Sequence, residues 1–147
     1  MNNSMHLEFL SLSENESFAR AAVGAFVSQL DPTIDEINDV KTAVSEAVTN
    51  AIVHGYGNVV GTIHISCVLS GNIVTITVSD NGRGIEDVSL ARTPLYTGAK
   101  ESERSGLGFT VMETFMDSLE VLSTPGEGTI VTMWKRVAVA LDTALCI

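Results

Sequence analysis

The sequence predicts an α+β fold, a two-layer sandwich in which a mixed β-sheet carries helices on one face. Three observations predict it. Apolar residues recur at helical spacing over two long N-terminal stretches; after residue 60 the period changes to two; and helix and strand do not alternate, which argues against a doubly wound sheet. The 147 residues fit one domain, 1–147, and a hydrophobic content of 45% is enough for a packed core.

Taken in order, residues 5–12 have the composition of a strand. Ser13 followed by Glu16 has capping-box spacing and opens a helix over 14–30, with Phe18, Ala22, Phe26 and Leu30 on one side. Asp31-Pro32 breaks the chain, and Thr33 with Glu36 repeats the cap. A second helix runs to about His54, its apolar stripe formed by Ile37, Val40, Val44, Ala47, Val48 and Ala51 and its end marked by Gly55 and Gly57. Residues 62–69 and 73–79 alternate as two strands around Gly71-Asn72, a hairpin signal. The polar stretch 86–105 predicts a short helix and then a mobile segment. Residues 106–117 predict a helix with Leu107, Val111 and Phe115 inward. Two strands, 119–123 and 129–136, flank a Pro-Gly-Glu-Gly turn, and the apolar end at 137–147 predicts a short helix.

Composition narrows the function. Eighteen acidic residues oppose eight basic ones, a formal charge of −10, which repels nucleic acid and anionic lipid. No apolar run approaches the roughly 18 residues of a membrane span. The N-terminus lacks the basic-then-apolar pattern of a secretory signal. The expectation is a cytoplasmic protein with no direct nucleic-acid or membrane partner. Cys67 and Cys146 do not form a disulfide framework, and no CxxC or His/Cys cluster marks a zinc site.

Four short blocks carry chemistry. In SEAVTNAIVHG, Glu46 and Asn50 lie one turn apart, at about 200° and 240° from Val44 on a helical wheel and so away from the apolar stripe. A solvated helix face accounts for Glu46 alone. Asn, a mediocre helix former, asks for a reason: its amide oxygen suits a hard cation, while the carboxylate can accept a proton. In SDNGRGI, Asp80 continues the buried parity of Val74, Ile76 and Val78, so its carboxylate needs a partner; the amine of adenine would serve, and Gly82 and Gly84 would let a flat ring approach. In RSGLGF, glycines open a helix whose N-terminus suits an anion, with Arg104 just before it. GEGTIV alone is a turn entering a strand.

The order and spacing of these blocks over residues 45–131 resemble the histidine kinase-like ATP-binding fold, shared by sensor histidine kinases, type II topoisomerases, MutL and Hsp90-type chaperones. The Walker phosphate loop is absent. The start MHLEFLSLSENESFAR and the block ERSGLGF narrow the resemblance to anti-sigma factors with serine-kinase activity, nearest the sporulation type and next the general-stress type.

That resemblance implies a homodimer that sequesters a sigma factor and uses ATP with Mg²⁺ to phosphorylate a serine of a small anti-anti-sigma protein. It implies catalytic roles for Glu46, as general base, and Arg104, at the terminal phosphate. It makes Asn50 the Mg²⁺ ligand and Asp80 the adenine acid, with Gly82 and Gly84 around the base. The backbone of Ser105, Gly106, Leu107, Gly108 and Phe109 wraps the phosphates, Thr129 lies near adenine, and Arg20 contacts the sigma factor. A nucleotide-gated binding module without phosphotransfer is the alternative, and Glu46 argues for the kinase.

Overall fold

The computed structural model describes residues 1–93 and 108–138. Strands β1 (Asn2–Leu10), β2 (Thr62–Ser70), β3 (Ile73–Asp80), β4 (Ser118–Thr124) and β5 (Gly128–Arg136) form one sheet in the order β1-β2-β3-β5-β4. Where a mixed sheet was expected, all four ladders are antiparallel. β3 and β4 do run in the same direction, but β5 folds back from β4 and occupies the place between them.

The helices are α1 (Glu14–Val27), α2 (Ile34–Asn50), the short α3 (Val88–Ala91) and α4 (Gly108–Phe115). α2 lies between α1 and α4, and the inward residues of all three join Ile63, Ile65, Ile76, Met133 and their neighbours in one core. Val40, Val44 and Val48 are fully buried there, each contributing roughly 1.5–3 kcal/mol of apolar transfer. Cys67 belongs to the same core, and burial pushes its thiol up to about 12. No helix among the described residues is long and apolar enough to cross a membrane.

Three local expectations are corrected. Thr33 and Glu36 make the reciprocal cap, but Ser13 does not: its own backbone is already helical, so its hydroxyl makes no capping bond and its carbonyl accepts from Glu16 N–H instead. The buried side of α1 is Ala19, Val23 and Val27, one position on from Phe18, Ala22 and Phe26. Phe18 is half exposed and meets Phe9 of β1 edge-on. In α4 the core residues are Phe109 and Met112, joined by Met116 just past its end; Met112 and Met116 are again one position on from Val111 and Phe115. In both helices two adjacent rows are apolar, and the smaller or more flexible row packs against the sheet. The expected mobile segment beyond residue 93, the inward Leu107 and the C-terminal helix lie outside the described residues.

Candidate functional site

α2 does not stop at a simple cap. Beyond Asn50 the chain continues as a wider π-helical turn, Ala51–Tyr56, a geometry that recurs at functional sites. Its last carbonyls, like those at any helix end, take donors from outside the helix. His54 O accepts from Arg83 Nε at 2.7 Å, and Gly55 O accepts from Arg83 N at 2.9 Å. The Tyr56 hydroxyl donates to Thr62 O at 2.6 Å and accepts from Asn81 N at 2.8 Å. The end of α2 is thereby tied to the loop that follows β3.

Glycine permits this approach. A Cβ on Gly82 would stand 2.2 Å from Gly55 O, and one on Gly55 would stand 2.9 Å from Asp80 Oδ1. Gly84 has φ +75°, and a side chain there would also meet Thr124 O. The second side of the loop is held from β4: Ser123 Oγ accepts from Ile85 N at 2.7 Å and is 2.9 Å from Thr129 Oγ1.

These elements enclose a cleft of about 650 Å³, which α3 and the start of α4 also line. Asp80 is 8% exposed at its wall. Burial raises its carboxyl above the ordinary range, against the backbone N–H groups of Gly82 and Thr129, which lower it. Asp80 Oδ1 accepts from Gly82 N at 2.8 Å. An acceptor with four lone-pair sites is left with capacity for a donor that enters the cleft.

Of the residues singled out from the sequence, Asn50, Asp80, Gly84, Gly108, Phe109 and Thr129 line this cleft. Gly82 packs behind it on Gly55. Asn50 faces the start of α4, where a Cβ on Gly108 would stand 3.0 Å from Nδ2 and 3.1 Å from Oδ1. Glu46 is half-buried one turn earlier on α2 and is not among the lining residues. Arg20 lies apart, on α1, with Nη1 3.5 Å from Ser45 Oγ and 3.9 Å from Glu16 Oε2. Arg104, Ser105, Gly106 and Leu107 lie outside the described residues. Sequence reasoning missed Tyr56, Arg83 and Ser123, which hold the loop. An Arg inside a glycine turn and a Ser in a strand carry no distinctive spacing. Arg92, just past α3, pairs with Glu113 of α4 and joins the two helices.

The profile of the histidine kinase-like ATPase domain matches residues 9–135. The chain is 62% identical over 135 residues to the Anti-sigma F factor of Thermoanaerobacter sp., covering 92% of this chain and 94% of that one. It is 54% identical over 147 residues to the Anti-sigma F factor of Anoxybacillus flavithermus, covering 99% of each. Among solved structures it resembles the RsbU and RsbW domains of a Mycobacterium tuberculosis protein, with TM-score 0.67 and 22% identity over 92% of this chain and 32% of that one. It also resembles the histidine kinase domain of a blue-light activated kinase from Erythrobacter litoralis, with TM-score 0.54 and 19% identity over 84% of this chain and 61% of that one. At these identities the two structures speak to the fold alone. With the profile spanning most of the chain and the curated relatives collinear with it, the chain belongs to the histidine kinase-like ATPase domain family and, within it, to the anti-sigma F factors.

Proposed function

We propose that this chain is an anti-sigma factor that acts as one domain and as a homodimer. It binds and holds a sigma factor, and it phosphorylates a serine of an anti-anti-sigma protein with Mg-ATP. The observation that carries the nucleotide reading is Asp80, a buried carboxylate at the wall of a cleft whose neighbouring backbone is stripped to glycine at positions 55, 82 and 84. An adenine amine is a donor of the right size for that acceptor, and the glycines leave room for a flat ring.

Mg²⁺ fits the other end of the cleft. Gly108 leaves the Asn50 amide uncovered where a side chain would crowd it. An amide oxygen is a hard ligand, and Mg²⁺ takes few protein ligands, filling its shell with water and phosphate oxygens. Mg-ATP, when bound, supplies the phosphoryl group. The chain's own residues do the rest. Asn50 holds the metal, Glu46 takes the proton of the incoming serine hydroxyl, and Arg104 with the N-terminal backbone of α4 balances phosphate charge. Arg20, beside Ser45 at the α1–α2 seam, anchors the sigma factor.

One observation favours a second reading, a nucleotide-gated binding module without phosphotransfer: Glu46 is not among the residues that line the cleft. One experiment separates the two. The chain is mixed with Mg-ATP and a candidate anti-anti-sigma protein, and phosphoserine is sought by mass spectrometry. The kinase reading expects stoichiometric phosphoserine; its absence beside intact nucleotide binding leaves the binding module.

A further inference from the structure

A second constellation lies on the sheet face opposite the helices. His6 and Glu8 are two residues apart on β1 and so point to the same side of the strand. His64 on β2 is the cross-strand partner of Glu8. The three ligand atoms all lie within 4.8 Å of one another, and His64 Nδ1 is 3.8 Å from Glu8 Oε1. The His6 and His64 rings are 5.6 Å apart, centre to centre. It is the one group of three such ligands among the described residues. His64 is far from His6 and Glu8 in sequence, which is why no His/Cys motif announced the group; antiparallel pairing brings it to them.

A surface Glu–His contact contributes little by itself. Here two imidazoles converge on one carboxylate. We propose that His6, Glu8 and His64 bind a zinc-class divalent cation, a site separate from the nucleotide cleft. Two nitrogens and one carboxylate oxygen form the donor set that borderline cations prefer over Mg²⁺, and three protein ligands leave a fourth position for water. Ligands at about 2.0–2.2 Å from zinc sit roughly 3.4 Å from one another, so closure asks for about 1 Å of movement from exposed side chains. The chain's charge of −10 draws cations to it. Bound there, the ion would staple β1, an edge strand, to β2.

The test is a titration of the full chain with zinc chloride against a chromophoric chelator, with melting temperature as a second readout. The site expects one equivalent per chain, retained in a hundredfold excess of Mg²⁺. It expects a rise of about 5–10 °C in Tm at a hundredfold excess over Kd. Affinity should fall about tenfold or more in His6→Ala and in His64→Ala. His6→Gln and His64→Gln, which keep a polar side chain on the exposed strand, serve if an alanine variant fails to fold. Substoichiometric binding, displacement by Mg²⁺, or wild-type affinity in the histidine variants overturns the proposal.

Discussion

Gly82 and Gly55 meet backbone to backbone: a Cβ on Gly82 would stand 2.2 Å from Gly55 O. The loop after β3 therefore rests on the end of α2 with no space between them. Gly82→Ala must push the two apart, an overpacking worth about 1–3 kcal/mol. Displacing Asp80's neighbour should also weaken ATP by tenfold or more. Calorimetric titration and thermal melting check both, and unchanged ATP affinity would show that the contact does not shape the cleft.

Asp80→Asn should act in opposite directions on stability and on binding. Burial holds the Asp80 carboxyl above its ordinary range. A carboxyl raised in this way penalises folding once it ionises. The penalty is absent below the unfolded value of about 3.9 and full above the raised one. Asn removes it, so at neutral pH the variant should be more stable. That gain should shrink as pH falls through the carboxylate range. ATP affinity should drop about ten- to hundred-fold with the loss of a charge-assisted bond. Melting at pH 4 and 7.5 reads the first effect, and a gain equal at both pH values would clear Asp80 of it. GTP, which presents a carbonyl in place of the amine, should compete poorly; equal ATP and GTP binding would refute the adenine role.

Glu46→Gln separates catalysis from binding. The amide keeps the shape and removes the base, so phosphotransfer to the anti-anti-sigma serine should fall by roughly 10²–10⁴. Mg-ATP should still bind through Asn50 and Asp80. Equal rates in variant and wild type would make Glu46 a helix-face acid only.

Arg20→Ala should weaken sigma binding by at least about 2 kcal/mol, as central interface anchors do. It should leave phosphotransfer intact. Among the described residues the guanidinium reaches only Glu16 and Ser45, at 3.9 and 3.5 Å, so the stability change should stay within about 0.5 kcal/mol. Undiminished retention of the sigma factor in a pull-down removes Arg20 from the interface.

The sequence made the architecture readable because period two and period 3.6 occupy separate stretches. The strands of β2 and β3 and the stripe of α2 needed no tertiary information. The phase of α1 and α4 did. Phe18 lies next to Ala19, and Val111 next to Met112, so helical spacing alone could not choose between rows; contact with the sheet chose. Parity made Asp80 legible as a buried acid, because alternation along β3 fixes its side. Tyr56, Arg83 and Ser123 were not legible, since their work is to bond backbone groups brought near by the fold. The pairing of β5 with β3 was hidden for the same reason: strand order is a long-range property, and only local turns are written in spacing.

The π-helical turn at Ala51–Tyr56 makes chain length itself a determinant of the cleft. Removing one residue from this segment would let the helix run on regularly. Everything beyond the deletion would then rotate by about 100°, carrying Gly55 away from Gly82 and the two carbonyls away from Arg83. Replacing the half-buried side chain of Val53, which does not line the cleft, changes none of those positions. At Val53 the protein should therefore tolerate substitution far better than deletion, a contrast that a library of single-residue deletions and substitutions, sorted on ATP binding, would reveal directly.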